Sequence, residues 1–187
     1  MEIADYIIAE DKELVALTLG GDDIAFEYLF NRYSDAIRRL FQHRSTSPAD
    51  TEDLLQETFI KVYVNLHRYS PSYTFGQWVY TIARNTHIDF ERCRQENIPI
   101  NEKFSAPVAS TPSPEENLIS LQQRSQIENY IGCLPDQYRQ LFTMRFLEDY
   151  SYEEIAEKLQ MPMGTVKTRI HRAREKMCRL ILEGEKH

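Results

Sequence analysis

The sequence predicts an all-α protein in which two small helical domains are joined by a Pro-rich linker, the C-terminal one a helix-turn-helix. Three observations predict this fold class. No stretch alternates apolar and polar residues in the way that a half-buried strand does. The 187 residues include only 6 glycines beside 8 prolines, whereas sandwiches and barrels need many tight turns. Patterns that start helices stand on both sides of one proline-rich stretch.

The proline-rich stretch lies at 98–114 and holds four of the eight prolines, with little periodic apolar content. Such a composition is typical of an extended linker. We therefore predict an N-terminal domain over 1–97, a linker over 98–117 and a C-terminal domain over 118–187. Both domains are near the lower size limit for an independent core.

Three helix starts are marked by capping residues. In Ser47-Pro48 and in Ser113-Pro114 a serine can cap a helix whose first position is proline. Ser151 and Glu154 have the spacing of a capping box, in which the two side chains satisfy two backbone N–H groups of the first turn.

Charge and cysteine content exclude several classes of protein. The formal net charge is −7, from 22 Lys and Arg and 29 Asp and Glu, which argues against a freestanding basic DNA-binding protein. The longest uncharged stretch, 69–83, contains Pro71 and Gly76 and cannot cross a membrane as a helix. The first ten residues lack the basic start of a signal peptide. We therefore expect a cytoplasmic protein without membrane insertion, whose three cysteines are reduced thiols because no CxxC pair is present.

The C-terminal domain has the spacing of a helix-turn-helix. A helix is predicted from Tyr152 to Leu159, followed by a break over 160–164, where Pro162 and Gly164 both oppose helix continuation. Thr165 is predicted to cap the second helix. A short helix, a tight break and a second helix make up this motif.

The second helix has one apolar and one basic face. Its apolar residues recur at intervals of three and four: Val166, Ile170, Ala173, Met177 and Leu180. From Thr165 to Arg179 there are six Lys or Arg and one Glu, a local charge of +5, and these side chains, Arg174 included, are expected opposite or beside the stripe. Such a helix can enter the major groove of DNA. The alternative is a solvated basic face without a ligand, and the preceding turn favours DNA binding.

A second candidate surface lies on the helix predicted over 50–69. Its core-facing residues are Leu55, Phe59, Val62 and Leu66. The opposite face combines two acids with two aliphatic side chains: Asp53, Glu57, Ile60 and Val64. This face is either a partner surface or is covered by another helix of the same domain, and the pattern does not distinguish the two.

Aromatic residues concentrate in the segment that follows. They are Tyr69, Tyr73, Phe75, Trp78 and Tyr80, in a loop and the start of a helix that also carries basic and polar groups. Aromatic rings beside Asn and Arg suit single-stranded nucleic acid, whose unstacked bases can stack on them. The usual alternative is core packing, which we expect mainly for Trp78, Ile82 and Phe90.

Three segments resemble bacterial RNA polymerase sigma factors, in particular those of the extracytoplasmic-function (ECF) class. They are 53–63 (DLLQETFIKVY), 69–92 (YSPSYTFGQWVYTIARNTHIDFER) and 134–177, which contains the helix-turn-helix. The segments occur in the family's order, and the linker without an intervening domain resembles the ECF class. The first ten or so residues and the linker lie outside the resemblance. The loop departs from it at Pro71 and Tyr73, so no base preference is carried over.

The resemblance implies a role in transcription initiation, without enzymatic activity, cofactor or metal. A protein of this class binds core RNA polymerase through the β′ clamp helices and the β flap. It directs the polymerase to promoters by contacting duplex DNA at the −35 element and single-stranded DNA at the −10 element. A cognate anti-sigma factor is implied as a further partner.

The family's functional residues carry over as three sets. The set for core polymerase is Asp53, Leu54, Gln56, Glu57 and Ile60. The set for the −10 element is Tyr69, Ser70, Tyr73, Phe75, Arg84, Asn85 and His87. The set for the −35 element is Lys167, Thr168, Arg169, His171 and Arg172. The N-terminal domain is thus expected to be like sigma region 2, and the C-terminal domain like sigma region 4.

Two other functions are to be compared with this one. A helix-turn-helix regulator that binds duplex DNA alone would leave the aromatic loop and the face with Ile60 and Val64 unused. A hydrolase or metalloprotein has little support, because the sequence contains no Gly-rich phosphate loop, no HExxH motif and no nucleophile elbow.

Overall fold

The protein is helical and divides into two compact units, Met1–Gln123 and Arg124–His187. The computed structural model describes residues 3–44, 47–94 and 114–183, and these contain no strand. The prediction of an all-α fold is therefore confirmed. The division between the units falls within one helix, α6 (Pro114–Cys133).

The first unit contains five helices before α6, among the residues that the structure describes. They are α1 (Ile3–Ile8), α2 (Asp11–Leu19), α3 (Asp23–Gln42), α4 (Pro48–Val64) and α5 (Phe75–Arg94), with a 3₁₀ turn at Leu66–Arg68. Ser47 caps α4 as predicted: its side chain accepts a hydrogen bond of 3.0 Å from the backbone N–H of Asp50. Pro114 is the first residue of α6, also as predicted, whereas the proposed cap Ser113 lies outside the described residues.

The core of the first unit is aromatic and lies where α3, α4 and α5 meet. The ring of Phe26 on α3 contacts the edge of Tyr63 on α4, with 4.8 Å between the ring centroids. Trp78 on α5 is 2% exposed. Since α4 packs against both α3 and α5, more than one of its faces is buried.

The second unit carries the helix-turn-helix. After α6 come α7 (Asp136–Phe142), a π-helical turn (Thr143–Leu147), α8 (Tyr152–Leu159) and α9 (Met163–Glu183). The bounds of α8 agree with the prediction, and the capping box of Ser151 and Glu154 is present in both directions. Both α7 and α8 pack against α9.

Arg139 of α7 secures the end of α6. Its guanidinium donates hydrogen bonds to the carbonyls of Ile131, Gly132 and Leu134, at 3.2, 3.0 and 3.0 Å. The last carbonyls of a helix have no partner within the helix. Arg139 supplies one from the next helix and so fixes the corner between α6 and α7.

The turn between α8 and α9 differs from the prediction in one respect. Gln160 ends α8 in the left-handed conformation, with φ 50°. The second helix begins at Met163, so Thr165 lies inside it and is not its cap. The carbonyl of Pro162 accepts the first hydrogen bonds of the helix, from the N–H groups of Thr165 and Val166 at 2.9 and 3.1 Å.

Candidate nucleic-acid and polymerase-binding surfaces

The outer face of α9 brings the five predicted −35 residues together. All are exposed or partly exposed: Lys167, Thr168, Arg169, His171 and Arg172. The rotation of α9 is set by Val166 and Ile170, both 0% exposed, which belong to an apolar stripe that is buried as predicted. An α-helix that buries one stripe presents the side chains on its opposite face to the solvent.

Two of these side chains make contacts within α9 itself. The hydroxyl of Thr168 donates to the carbonyl of Gly164 at 2.9 Å, and Nδ1 of His171 lies 3.6 Å from a carboxylate oxygen of Glu175. Solvent-exposed ion pairs contribute about 1 kcal/mol or less. Breaking the ion pair of His171 with Glu175 therefore costs little.

Arg174 does not belong to this basic face, contrary to the prediction. It is 4% exposed, because it follows Ala173 and lies four residues after Ile170, at the edge of the buried stripe. Burial raises the pKa of the nearby Cys178 thiol to about 12, and the positive charge of Arg174 partly opposes this rise. Arg174 is thus part of the packing of α9.

The aromatic loop between the 3₁₀ turn and α5 is closed by its own hydrogen bonds. The hydroxyl of Tyr69 donates to the carbonyl of Tyr73 at 2.7 Å, and the N–H of Tyr73 donates to the carbonyl of Ser70 at 3.2 Å. Thr74 and Gln77 exchange side-chain to backbone hydrogen bonds of 3.1 and 3.3 Å, as in a capping box. The loop is therefore shaped before any ligand binds.

Three of the predicted −10 residues are buried rather than accessible. Phe75 is 1% exposed, and Ser70 and His87 are each 8% exposed. Phe75 contacts the rings of Tyr69 and Trp78, with centroid distances of 5.5 and 5.8 Å. The prediction treated Phe75 as part of the loop, whereas it is the first residue of α5. An aromatic residue at the start of an amphipathic helix packs inward when its position falls on the core stripe.

The other four predicted −10 residues are accessible, and one aromatic residue outside that set is exposed as well. Tyr73 is 48% exposed, and Tyr69, Arg84 and Asn85 are partly exposed. Tyr80 on α5 is 44% exposed. Its spacing of four residues from Arg84 puts both on one face of α5, which was the signal available in the sequence.

The face of α4 that was a candidate for polymerase binding is largely covered. Ile60 and Val64 are 1% and 3% exposed, and Leu54 and Glu57 are 2% and 6% exposed. The helix has α3 and α5 as neighbours, so a single stripe underestimates its buried surface. The alternative that another helix of the domain covers this face is the correct one.

Glu57 has a structural partner inside this region. Its carboxylate lies 3.0 Å from Nζ of Lys61, and that ammonium also lies 3.8 Å from a carboxylate oxygen of Asp89 and 3.3 Å from the hydroxyl of Thr86 on α5. The polar network ties α4 to α5. Of the predicted docking residues, only Asp53 and Gln56 are partly exposed.

Neither a metal site nor a membrane span occurs among the residues that the structure describes. In 3–44, 47–94 and 114–183, no three His, Cys, Asp or Glu side chains come together as metal ligands would. Among the same residues, no helix combines the length and the apolar character that crossing a bilayer requires.

Comparison with protein families places both units. Residues 29–97 match the family model for sigma-70 region 2, and residues 124–177 match the model for sigma-70 region 4. The first match runs from within α3 to the residues after α5, and the second includes the whole helix-turn-helix. A chain with these two regions is a sigma factor of the sigma-70 type.

Individual relatives specify the class further. The chain is 35% identical over 164 residues to the ECF RNA polymerase sigma factor SigW of Bacillus subtilis, which covers 83% of this chain and 88% of that protein. It is 34% identical over 175 residues to the ECF RNA polymerase sigma-E factor of Haemophilus influenzae, covering 88% and 92%. The protein belongs to the ECF family of sigma factors. It binds core RNA polymerase and directs transcription initiation at promoters, and the regulator that acts without polymerase is not favoured.

Solved structures of sigma factors are also similar to this chain. One is SigE of Rhodobacter sphaeroides in complex with the anti-sigma ChrR, at 22% identity and a TM-score of 0.41, covering 90% of this chain and 96% of that one. Another is CnrH in complex with the cytosolic domain of CnrY, at 22% identity and a TM-score of 0.41, covering 94% and 99%. The family assignment rests on the sequence matches alone.

Proposed function

We propose that the outer face of α9 is the surface that recognises the −35 element, through Lys167, Thr168, Arg169, His171 and Arg172. The observation that carries this proposal is that these five side chains share one accessible face of the second helix of a helix-turn-helix. Early residues of such a helix reach base edges in the major groove, and basic side chains farther along contact phosphates. With Arg174 buried, the face relies on a smaller number of cations than the sequence suggested.

The −10 element is proposed to bind at the aromatic loop and the outer face of α5. Tyr73 and Tyr80 offer accessible rings on which unpaired bases can stack, and Arg84 and Asn85 are partly accessible beside them. Ser70, Phe75 and His87 are proposed to support this surface from below. Extruding a base costs a few kcal/mol, which stacking on an aromatic side chain can offset.

Polymerase docking is proposed at the accessible edge of α4, with Asp53 and Gln56 as contacts for the β′ clamp helices. Leu54, Glu57 and Ile60 then hold the helix in place rather than touch the polymerase. We further propose that residues 1–97 act as sigma region 2, 98–117 as a linker and 118–187 as sigma region 4, which contacts the β flap. The protein is proposed to act in the cytoplasm, without catalysis of its own, and under control of a cognate anti-sigma factor.

Run-off transcription with core polymerase tests the −35 proposal. On a promoter that depends on its −35 element, Arg172→Ala should lower initiation by about five- to one-hundred-fold, the range for loss of one Arg contact to DNA. Arg124→Ala is the matched control, since it removes the same charge from an exposed position on α6. It should leave initiation unchanged.

The two outcomes that would contradict the proposal are distinct. Equal initiation by Arg172→Ala and the wild type would exclude this face as the −35 reader. Equal losses in Arg172→Ala and Arg124→Ala would mean that net charge, rather than a docked helix, governs binding.

A further inference from the structure

Helix α2 lies before the part of the chain that matches sigma-70 region 2, yet it contacts the surroundings of the aromatic loop. The family match begins at residue 29, whereas α2 spans Asp11–Leu19. The helix packs on α3 and also contacts the 3₁₀ turn Leu66–Arg68, directly before the loop. Its position therefore links the N-terminus of the protein to the entrance of the loop.

Asp11, the first residue of α2, is bound by two consecutive residues of α3. Arg32 donates to one carboxylate oxygen of Asp11 at 2.6 Å and to the carbonyl of Ala9 at 3.0 Å. The hydroxyl of Tyr33 donates to the other carboxylate oxygen in a short hydrogen bond. These bonds fix both the start of α2 and the direction of the Tyr33 ring.

The ring of Tyr33 meets the far end of the loop. It contacts the ring of Phe75 in a T-shaped arrangement, with 5.4 Å between the centroids and 63° between the planes. It also lies against Gly76, where an added Cβ would be 2.9 Å from Cε1 of Tyr33. The first turn of α5 can approach Tyr33 this closely only because residue 76 has no side chain.

The contacts continue from Phe75 into the loop itself. The ring of Phe75 contacts the ring of Tyr69, with 5.5 Å between the centroids. The Tyr69 hydroxyl in turn donates a hydrogen bond to the carbonyl of Tyr73. Burial raises the pKa values of the Tyr33 and Tyr69 hydroxyls. The hydrogen bond to Asp11 raises the pKa of Tyr33 further, and the charge of Asp11 raises that of Tyr69. Both hydroxyls therefore remain protonated donors in neutral solution.

We propose that Asp11 and Tyr33 form a positioning pair, which orders the aromatic loop for the unpaired −10 strand by holding the Tyr33 ring against Phe75 and Gly76. The inference rests on the proposed assignment of the loop to the −10 element. A loop that is already ordered loses less conformational entropy when it binds, so the pair strengthens binding without touching DNA. Its loss should weaken capture of the −10 strand and leave duplex and polymerase binding unaffected.

The test uses holoenzyme reconstituted from the full chain and core polymerase. The first probe is a single-stranded oligonucleotide with the non-template −10 region of a promoter that the holoenzyme transcribes. The second is a duplex that carries the −35 element and ends upstream of −10. Tyr33→Phe removes the hydroxyl and keeps the ring. Tyr28→Phe is the control on the same helix, since the Tyr28 ring stacks on Tyr6 with 5.3 Å between the centroids.

Tyr33→Phe should weaken binding of the single-stranded probe by about three- to tenfold, as expected for the loss of one hydrogen bond. Binding of the duplex probe and of core polymerase should match the wild type, and Tyr28→Phe should match it throughout. Asp11→Asn should weaken binding of the same probe. Combining it with Tyr33→Phe should add little, because Asp11→Asn already removes the carboxylate to which the Tyr33 hydroxyl donates. Gly76→Ala should also weaken the single-stranded probe.

Three results would overturn the inference. The first is a Tyr33→Phe protein that binds the single-stranded probe like the wild type. The second is an equal loss on both probes, which would indicate general damage to the fold. The third is full additivity of Asp11→Asn and Tyr33→Phe. Tyr73→Ala distinguishes failure of the positioning pair from failure of the −10 assignment of the loop. If the Tyr73→Ala protein binds the single-stranded probe normally, the loop assignment fails too. If Tyr73→Ala weakens that binding but Tyr33→Phe does not, only the positioning pair is overturned.

Discussion

Truncating Ile60 distinguishes a structural role of α4 from a docking role. The side chain is 1% exposed, so Ile60→Ala removes about three buried carbon atoms, worth about 2.4 kcal/mol at 0.8 kcal/mol each. The cavity left behind adds to this, and buried Ile→Ala substitutions cost about 2–5 kcal/mol in total. We expect the free energy of unfolding of the first unit to fall by that amount.

Urea denaturation followed by tryptophan fluorescence measures this loss in the correct unit. The chain has one tryptophan, and Trp78 lies in the core of the first unit at 2% exposure, so its emission reports the unfolding of that unit. Ile8→Ala is the matched control, because Ile8 on α1 is 81% exposed. Substitutions at such sites change stability by about 0.5 kcal/mol or less.

One combination of results would refute this reasoning. If Ile60→Ala unfolds at the same urea concentration as Ile8→Ala and binds core polymerase more weakly, Ile60 is an exposed docking residue. The alternative that this face is a partner surface would then be correct. A large loss of stability, with normal polymerase binding by the folded fraction, supports the buried position.

Three further substitutions and reactions test other parts of the structure. Lys61→Met should lower the unfolding free energy of the first unit by about 3 kcal/mol, because it removes the ammonium that pairs with the carboxylate of Glu57, a residue that is 6% exposed. Urea denaturation followed by tryptophan fluorescence measures this loss, and an unchanged midpoint would contradict the pairing. Ser151→Ala should cost the second unit about 1 kcal/mol and Ser151→Asp much less, as measured by thermal melting in circular dichroism; equal losses would argue against a cap. Burial raises the pKa of Cys178 to about 12, so at pH 8 a thiol reagent should modify the exposed Cys133 much faster than the partly exposed Cys178, whose thiol stays protonated. Because the folded protein keeps this proton longer than the unfolded chain, the contribution of Cys178 to stability is present below pH 9 and declines between about pH 9 and 12; rapid labelling of native protein at both sites would refute the shift.

The helix-turn-helix was predictable in detail because its signals are local. The capping box at Ser151 depends on residues three apart, and the apolar stripe from Val166 to Leu180 depends on one helix packing along one face. Both features can be recognised within one segment of the sequence, although α7 and α8 both pack against α9. The predictions for Thr165 and Arg174 were wrong. The start of α9 depends on the backbone at Pro162, and the burial of Arg174 depends on how far the packing extends beyond the edge of the stripe.

The first unit was less predictable because its helices have several neighbours. Ile60 lies opposite the core-facing stripe of its helix, and Phe75 was assigned to the aromatic loop, yet both side chains are buried. The contact between Tyr33 and Gly76 joins residues far apart in the chain, and no periodicity connects them. The same is true of Asp11 and Tyr33.

The sequence by itself determined the helical class, the helix-turn-helix, the basic character of α9 and the family, since these depend on periodicity, capping residues and ordered motifs. Only the tertiary structure decided which of the motif residues meet solvent. It removed Ile60, Phe75 and Arg174 from the accessible surfaces and added Tyr80. The physical reason is that a helical pattern specifies the direction of a side chain from its own axis, whereas burial depends on which other helices lie in that direction.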